Sequence, residues 1–412
     1  MGVGKVLNIA IAGAGIGGLV TALVLHRQGH RVCLYEAARE LRPLGVGINL
    51  LPQAVAHLEA LGVAEPLLEA GVETQALAYF NRHGQQIWEE PRGRFAGFAA
   101  PQISLGRGAL QRVLLAQVQQ ELGAAAVAVG HRLTRFESKD GRALGGFEGP
   151  DGESVTLEAD LLVCADGIHS AARRQRYPQE GPPKYSGRLL WRATTFAPPF
   201  LGEATMIMAG HEAQKFVCYP IEPPRGDGRQ RINWIAELRR PWTGDREDWN
   251  KPVDRASFAG EFASWQFPWL DVPALIAEAE EVLEFPMVDR DPLPSWTEGA
   301  VTLLGDAAHP MYPIGSNGAS QAILDAAALG AALAEAPSVA AALAEYETLR
   351  RPATAAIVQA NRQNGPEQCM QLAEERAPEG FEALGDIFAP GELQAIADRY
   401  KVLTGMKKDS KA

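Results

Sequence analysis

The sequence predicts an α/β protein: a Rossmann-like parallel-sheet domain, an inserted and mostly antiparallel sheet, and C-terminal helices. Three observations predict it. A short apolar run at residues 6–12 leads into closely spaced glycines, then a helical pattern, then a second strand. Two more short apolar runs, 161–165 and 301–304, end in Asp166-Gly167 and Gly305-Asp306 and open into helical patterns. Residues 183–284 change character, with frequent prolines and strand-like runs at 189–196, 204–208, 216–219 and 232–238.

The first stretch carries the most chemistry. Gly13, Gly15 and Gly18 fall at G-x-G-x-x-G spacing between strand and helix, with Ile16 and Gly17 inside the turn. Gly13 permits the tight turn, Gly15 lets backbone approach a pyrophosphate, and Gly18 lets helix and strand pack closely. The helix start then offers free N–H groups and a positive dipole end to phosphates. Glu36 closes the second strand, about 20 residues on, where an acid accepts from a ribose 2′-OH. Residues 6–25 carry no charge, which a hydropathy window reads as a membrane span. The glycines, Asn8 and the switch from strand to helix argue against that reading. No small-residue cleavage site follows a clean apolar core, and Val6 stands where a myristoylation signal needs Ser or Thr.

The totals bound the class. At 412 residues the chain makes two or three domains, or one large two-lobed unit. Net charge is −11, and the only basic run is Lys407, Lys408 and Lys411, which disfavours nucleic acid and acidic membranes as partners. Cys33, Cys164, Cys218 and Cys369 are far apart, so disulfides and metal sites are not expected, and a reducing cytoplasm fits. Cys33 and Cys164 lie in apolar strand patterns and are expected to be buried.

The rest follows in chain order. Residues 39–49 form a Gly/Pro loop whose Gly45 and Gly47 suggest backbone passing close to a ligand. Pro52 starts a helix reaching Leu61, and residues 73–90 alternate as strands. Arg107 precedes a helical stripe of Leu110, Val113, Leu114 and Val118. Alone it would be a solvated charge; beside a phosphate site it is a guanidinium clamp. Strands near 126–136, 144–148 and 154–158, joined by Asp-Gly turns, read as a meander. Asp166 ends the next strand, with Ser170 and Arg173 following at fixed steps. Trp191, Trp234, Trp242, Trp249, Trp265 and Trp269 fall in the antiparallel region, most of them as core. Pro313, Gly315 and Gly318 make a tight loop before a helix from about Asn317. Residues 339–363 are helical with a kink expected at Pro352, and a polar helical tail follows.

Three separated motifs now coincide: G-x-G-x-x-G at 13–18, D-G-x-x-S-x-x-R at 166–173 and G-D-A-A-H-x-x-x-P-x-G at 305–315. Together they resemble the single-component (class A) FAD-dependent aromatic monooxygenases, of the p-hydroxybenzoate hydroxylase type, over roughly residues 6–365. Arg42-Pro-Leu-Gly-Val-Gly-Ile-Asn, Pro286-Met-Val-Asp-Arg-Asp-Pro-Leu-Pro and the run from Tyr312 look most like the phenazine-hydroxylase branch. The resemblance implies an FAD-binding domain from 1–72, 101–182 and 285–365, a substrate domain from 73–100 and 183–284, and a tail at 366–412. It implies FAD, with NADH or NADPH as a transient co-substrate and O2, hydroxylating an aromatic or N-heteroaromatic small molecule through a flavin C4a-hydroperoxide. No second G-x-G-x-x-G offers the nicotinamide cofactor its own site.

Position by position, the resemblance puts Gly13, Gly15, Ile16, Gly17 and Gly18 at the FAD pyrophosphate and Glu36 at the adenosine ribose. Gly47, Arg107, Asp166 and Asp306 follow along the pyrophosphate and ribityl chain. Pro313 stands at the reacting edge of the ring, with Gly315, Gly318 and Ala319 beside the pyrimidine. No acid or base is assigned, and His169 and His309 are read as structural, His309 through backbone hydrogen bonds. Pocket candidates are Trp191, Met206, Met208, Phe216, Tyr219 and Tyr312. The competing readings are an FAD-dependent reductase without oxygen insertion and a non-catalytic nucleotide-binding module. A flavin halogenase is weaker, because its Trp-x-Trp-x-Ile-Pro signature is absent.

Overall fold

The computed structural model describes residues 5–41, 45–242 and 251–405. Arg42 to Leu44 of the branch-like stretch, Trp249, and Lys407, Lys408 and Lys411 lie outside the described residues.

Six strands form the first sheet, in the order Thr297–Glu298, Val301–Leu303, Leu161–Cys164, Asn8–Ala12, Arg31–Glu36, Val127–Val129. All but the Thr297–Glu298 strand run parallel. Leu161–Cys164 is buried throughout, as an unbroken apolar run on a doubly covered parallel strand should be. The register decides where the loops go. Ala12 lies beside Cys164 and Tyr35, and Cys164 beside Leu303. The turns after these strands therefore open at one edge of the sheet, where ligands bind in open α/β folds.

Helices Ile16–Arg27, Arg107–Leu122 and Gly318–Glu335 pack on one face. The antiparallel strands Arg132–Lys139, Arg142–Glu148 and Ser154–Ala159 cover the other, sending Phe136, Ala143 and Phe147 into the same core. The expected strand at 126–136 is thus two strands, one joining each sheet. Cys33 is exposed, not buried, because Val32 and Leu34 on either side take the inward positions of their strand. Helix Val339–Arg362 runs through Pro352 as one element.

The second large sheet has eight strands: Lys251–Pro252, Leu283–Asp289, Lys184–Ala197, Gln230–Arg239, Gln214–Pro220, Thr205–His211, Ala76–Phe80 and Gln86–Pro91. Only the pairing of Thr205–His211 with Ala76–Phe80 is parallel. Strand alternation gives it two chemically different faces. One packs Trp191, Phe216 and Trp234 against Phe258, Phe262 and Trp265. The other presents Met206, Met208, Val217 and Tyr219, and helix Gln368–Arg376 covers part of it with Cys369, Met370 and Ala373. Helix Gln368–Arg376 is therefore packed onto the sheet, where a polar tail was expected. Among the described residues no helix is long and apolar enough to cross a membrane.

Candidate active site

A cavity of about 700 Å³ lies where the loop edge of the parallel sheet meets the second face of the antiparallel sheet. That volume is within the usual range for small-molecule sites. Gly13, at φ +104°, donates its N–H to the Tyr35 carbonyl at 2.8 Å, and a Cβ there would fall 2.3 Å from the Ala165 oxygen. A Cβ on Gly18 would meet the Gly13 oxygen at 2.0 Å. These two glycines build the turn and do not line the cavity. Gly15 does line it, and nothing lies within 4 Å of where its Cβ would be. The space beside Gly15 is a cradle that only the absence of a side chain keeps open. Glu36 lines the cavity too, its two oxygens accepting from the Ala14 and Ala38 N–H groups at 2.8 Å each.

Three helices begin at this wall, and none has a side-chain cap: Ile16–Arg27, Arg107–Leu122 and Gly318–Glu335. Gly15 to Gly17, Arg107, Gly318 and Ala319 all face the cavity. Uncapped first turns leave N–H donors and positive dipole ends available for anionic groups. The Arg107 guanidinium has no hydrogen bond or ion pair among the described residues. Burial lowers its pKa, and the nearby Asp306 opposes that. Asp166 accepts the Ala171 N–H at 2.7 Å through Oδ2, while Oδ1 is buried without a partner. Burial also raises its pKa. Open N–H groups and a guanidinium near acceptor carboxylates suit a molecule with both phosphates and hydroxyls, so the donor set fits a flavin dinucleotide.

The loop from Gly305 is held from behind. Asp325 accepts from the Gly305 N–H at 3.1 Å, His309 Nε2 at 2.5 Å and Arg350 Nε at 2.7 Å. Burial alone would raise the Asp325 carboxyl, but His309 and Arg350 hold it down at about 2. His309 thus positions the loop through a carboxylate, where backbone hydrogen bonds were expected. Arg173 links the second motif to the third: it donates to the Ala307 and Ala308 carbonyls at 3.2 and 2.8 Å and pairs with Glu180. Gly315, at φ +67°, shapes the turn without lining the cavity, whereas Pro313 lines it, as do Gly47 and His169.

At the sheet end the wall is mostly apolar, including Leu190, Met206, Met208, Val217, Tyr219 and Phe285. Trp191 and Phe216 are not there, which corrects two of the pocket candidates. Met208 lies opposite Val217, whereas Phe216 lies opposite Ala209 and Ala236, and Trp191 opposite Ala236. Odd and even positions face opposite ways, so Phe216 cannot share the face of Tyr219 and Val217. Trp191 instead stacks on Phe258 at 4.7 Å and donates to Glu284 at 3.1 Å. Tyr312 packs behind the wall with Val46, Leu190 and Phe285.

Sequence reasoning missed the polar groups in this wall. Lys215 and Glu237 are register partners on adjacent strands, 3.0 Å apart, and Lys215 also reaches Glu367 at 2.5 Å. Arg188 backs Glu237 at 3.2 Å. Burial would lower the Lys215 ammonium, but Glu237 and Glu367 raise it, so it stays charged. Arg192 lines the cavity and donates to the Gly47 carbonyl at 3.1 Å. Lys215 has the parity of Val217 and Tyr219 and could have been found by alternation. Glu367 sits in a turn past the predicted domain and carried no signal.

A family model described as "FAD binding domain" matches residues 6–361. The chain is 43% identical to the phenazine 1,6-dicarboxylic acid hydroxylase PhzS of Lysobacter antibioticus, over 96% of this chain and 98% of that protein. It is 31% identical to 3-hydroxybenzoate 6-hydroxylase 1 of Aquipseudomonas alcaligenes, over 85% and 86%. In fold it resembles the crystal structure of a single-substitution variant of Klebsiella pneumoniae HpxO complexed with FAD. That match has a TM-score of 0.77 and 24% identity, covering 97% of this chain and all of that one.

Proposed function

The chain belongs to the class A flavin monooxygenases, FAD-dependent enzymes that use NAD(P)H and O2 to hydroxylate aromatic and heteroaromatic molecules, and from that premise we propose that its substrate is a carboxylated phenazine. The observation that carries this reading is a single cavity with phosphate-type donors at one end and an apolar sheet face at the other. The 43% identity to a phenazine dicarboxylic acid hydroxylase over nearly the whole chain supports the choice of ring.

FAD, when bound, would supply the redox chemistry, namely hydride acceptance and oxygen activation. The chain's residues do the rest. The N–H groups at Gly15 to Gly17 and the Arg107 guanidinium hold the diphosphate, and Glu36 holds the adenosine ribose. Asp166 and Asp306 accept from hydroxyls of the linking chain. The helix start at Gly318 and Ala319 favours negative charge on the pyrimidine side of the ring. Pro313, in the cavity lining, would stand at the ring edge. Leu190, Met206, Met208, Val217 and Phe285 exclude water and give a flat substrate an apolar berth, while Arg192 supplies positive charge for a ring carboxylate. The proposed compartment is the cytoplasm, consistent with four unpaired cysteines.

The test is direct. FAD-loaded protein is mixed with NADH or NADPH and phenazine-1,6-dicarboxylic acid under air. Substrate-stimulated oxidation, oxygen uptake and a product one oxygen heavier are expected. Stimulation by simple benzoates with none by any phenazine would overturn the substrate assignment.

A further inference from the structure

The match to the FAD-binding domain ends at residue 361, yet a residue of the last helix, Glu392–Leu403, reaches the loop that lines the cavity at Pro313. Tyr400 is buried. Its hydroxyl accepts from Asn317 Nδ2 at 2.8 Å and lies 2.7 Å from Asn361 Oδ1 and 3.2 Å from the Ile314 carbonyl, donating to that side. The same two amides extend the grip. Asn361 donates to the Tyr312 carbonyl at 3.0 Å, and Asn317 to the Gly315 carbonyl at 3.2 Å. Three backbone carbonyls flanking or following Pro313 are thus fixed by one network centred on a phenol from outside the matched region.

The ring is seated by glycines. A Cβ on Gly315 would fall 2.2 Å from the Tyr400 oxygen, and one on Gly365 would fall 2.8 Å from its ring. Gly315 and Ser316 both adopt positive φ, at +67° and +57°, so the loop holds a conformation that needs outside support. Gly365 opens the turn that carries Glu367 into the cavity lining, and a Cβ on it would also fall 3.2 Å from Ile314. One side chain therefore braces two adjoining segments that both contribute to the cavity lining.

We propose that Tyr400 is a positioning residue for the flavin ring, holding the 312–317 loop in its working shape through Asn317 and Asn361, so that the C-terminal helix is a functional part of the site. The inference rests on the reading that FAD occupies this cavity.

The test is Tyr400→Phe in the full-length holoprotein, which keeps the ring between the glycines and deletes the hydroxyl. FAD should dissociate about fivefold faster, the factor expected for one hydrogen bond of ordinary worth. The visible flavin spectrum should shift, and more NAD(P)H oxidation should end in peroxide instead of product. Asn317→Ala, which also stands in if Tyr400→Phe fails to fold, should give the same changes. The double variant should give little more, since both act on one network. A lowered melting temperature with the parent's spectrum, FAD release and peroxide yield would mean that Tyr400 merely anchors the helix. Fully additive effects would overturn the proposal as well. A parent protein that binds no FAD would fail the cofactor reading instead, and the absence of turnover would leave spectrum and FAD release as the deciding measurements.

Discussion

Lys215 and Glu367 meet at 2.5 Å in the cavity wall although 152 positions separate them in the chain. One sits on a central strand of the antiparallel sheet, the other in the turn Gly365–Glu367 that leads into the C-terminal helices. Lys215→Met would leave Glu237 and Glu367 buried without their shared cation. Breaking a buried pair this way costs about 3–5 kcal/mol, so the urea midpoint should fall steeply. Glu367→Gln keeps an acceptor for Lys215 and should cost about 1–2 kcal/mol. Equal losses from the two substitutions would contradict the assignment of Lys215 as the hub.

The glycine loop separates folding from binding. A Cβ at Gly15 would find no atom within 4 Å beyond the adjoining residues, so Gly15→Asp spares the fold but puts bulk and negative charge into the cradle. The chain should fold, with a melting curve near the parent's, and purify colourless. Gly18→Ala forces a Cβ to 2.0 Å from the Gly13 oxygen and should disrupt the turn itself, lowering stability and flavin content together. The ratio of flavin absorbance to protein, read beside a thermal melt, tells the two apart. A yellow Gly15→Asp protein would remove the diphosphate from this loop.

The two faces of the antiparallel sheet should answer mutation differently. Trp191→Ala hollows the aromatic core on the far face and should cost about 3–5 kcal/mol. Its effect on KM should be small wherever the protein remains folded. Met208→Ala trims the cavity wall, so it should raise KM and the peroxide-forming share of turnover. A Met208→Ala enzyme with parental KM and coupling would show that the substrate lies elsewhere.

What could be read in advance follows a physical line. The glycine loop, Glu36, Asp166 and the Gly305-Asp306 turn were legible because backbone geometry dictates residue type there: a tight turn needs glycine, and a parallel strand needs an apolar run. The substrate wall was only half legible. The strands are legible in the sequence, but alternation within each strand and family position together put Trp191 and Phe216 in the pocket, while the register between strands turns both to the face opposite Val217 and Tyr219. Alternation from Tyr219 through Val217 to Lys215 leads to the charged pair. Nothing local announces Tyr400 or Glu367, because their significance lies in partners far away in the chain. The C-terminal helices read as a polar tail for the same reason: their apolar stripe is narrow and its target sheet is remote.

The Asp325 network makes a pH-dependent prediction. Its carboxyl titrates near 3.8 when free and at about 2 in the fold, held down against burial by His309 and Arg350. A depressed folded-state pKa means stability that is present in full above the ordinary carboxyl range and disappears as pH falls through about 2. The contribution at neutral pH is about 2 kcal/mol. Asp325→Asn removes it, along with charge-assisted bonds to both partners, so the variant should be less stable than the parent at pH 7 by about 3–5 kcal/mol. The gap should then narrow by about 2 kcal/mol between pH 5 and pH 2. Because Asp325 also receives the Gly305 N–H, the loop carrying Asp306 should loosen with it. FAD release should accelerate in the variant at pH 7 and in the parent as the pH approaches about 2. Urea midpoints for both proteins across that range decide the matter: a gap that stays constant would show that the carboxylate's charge is not what holds the loop.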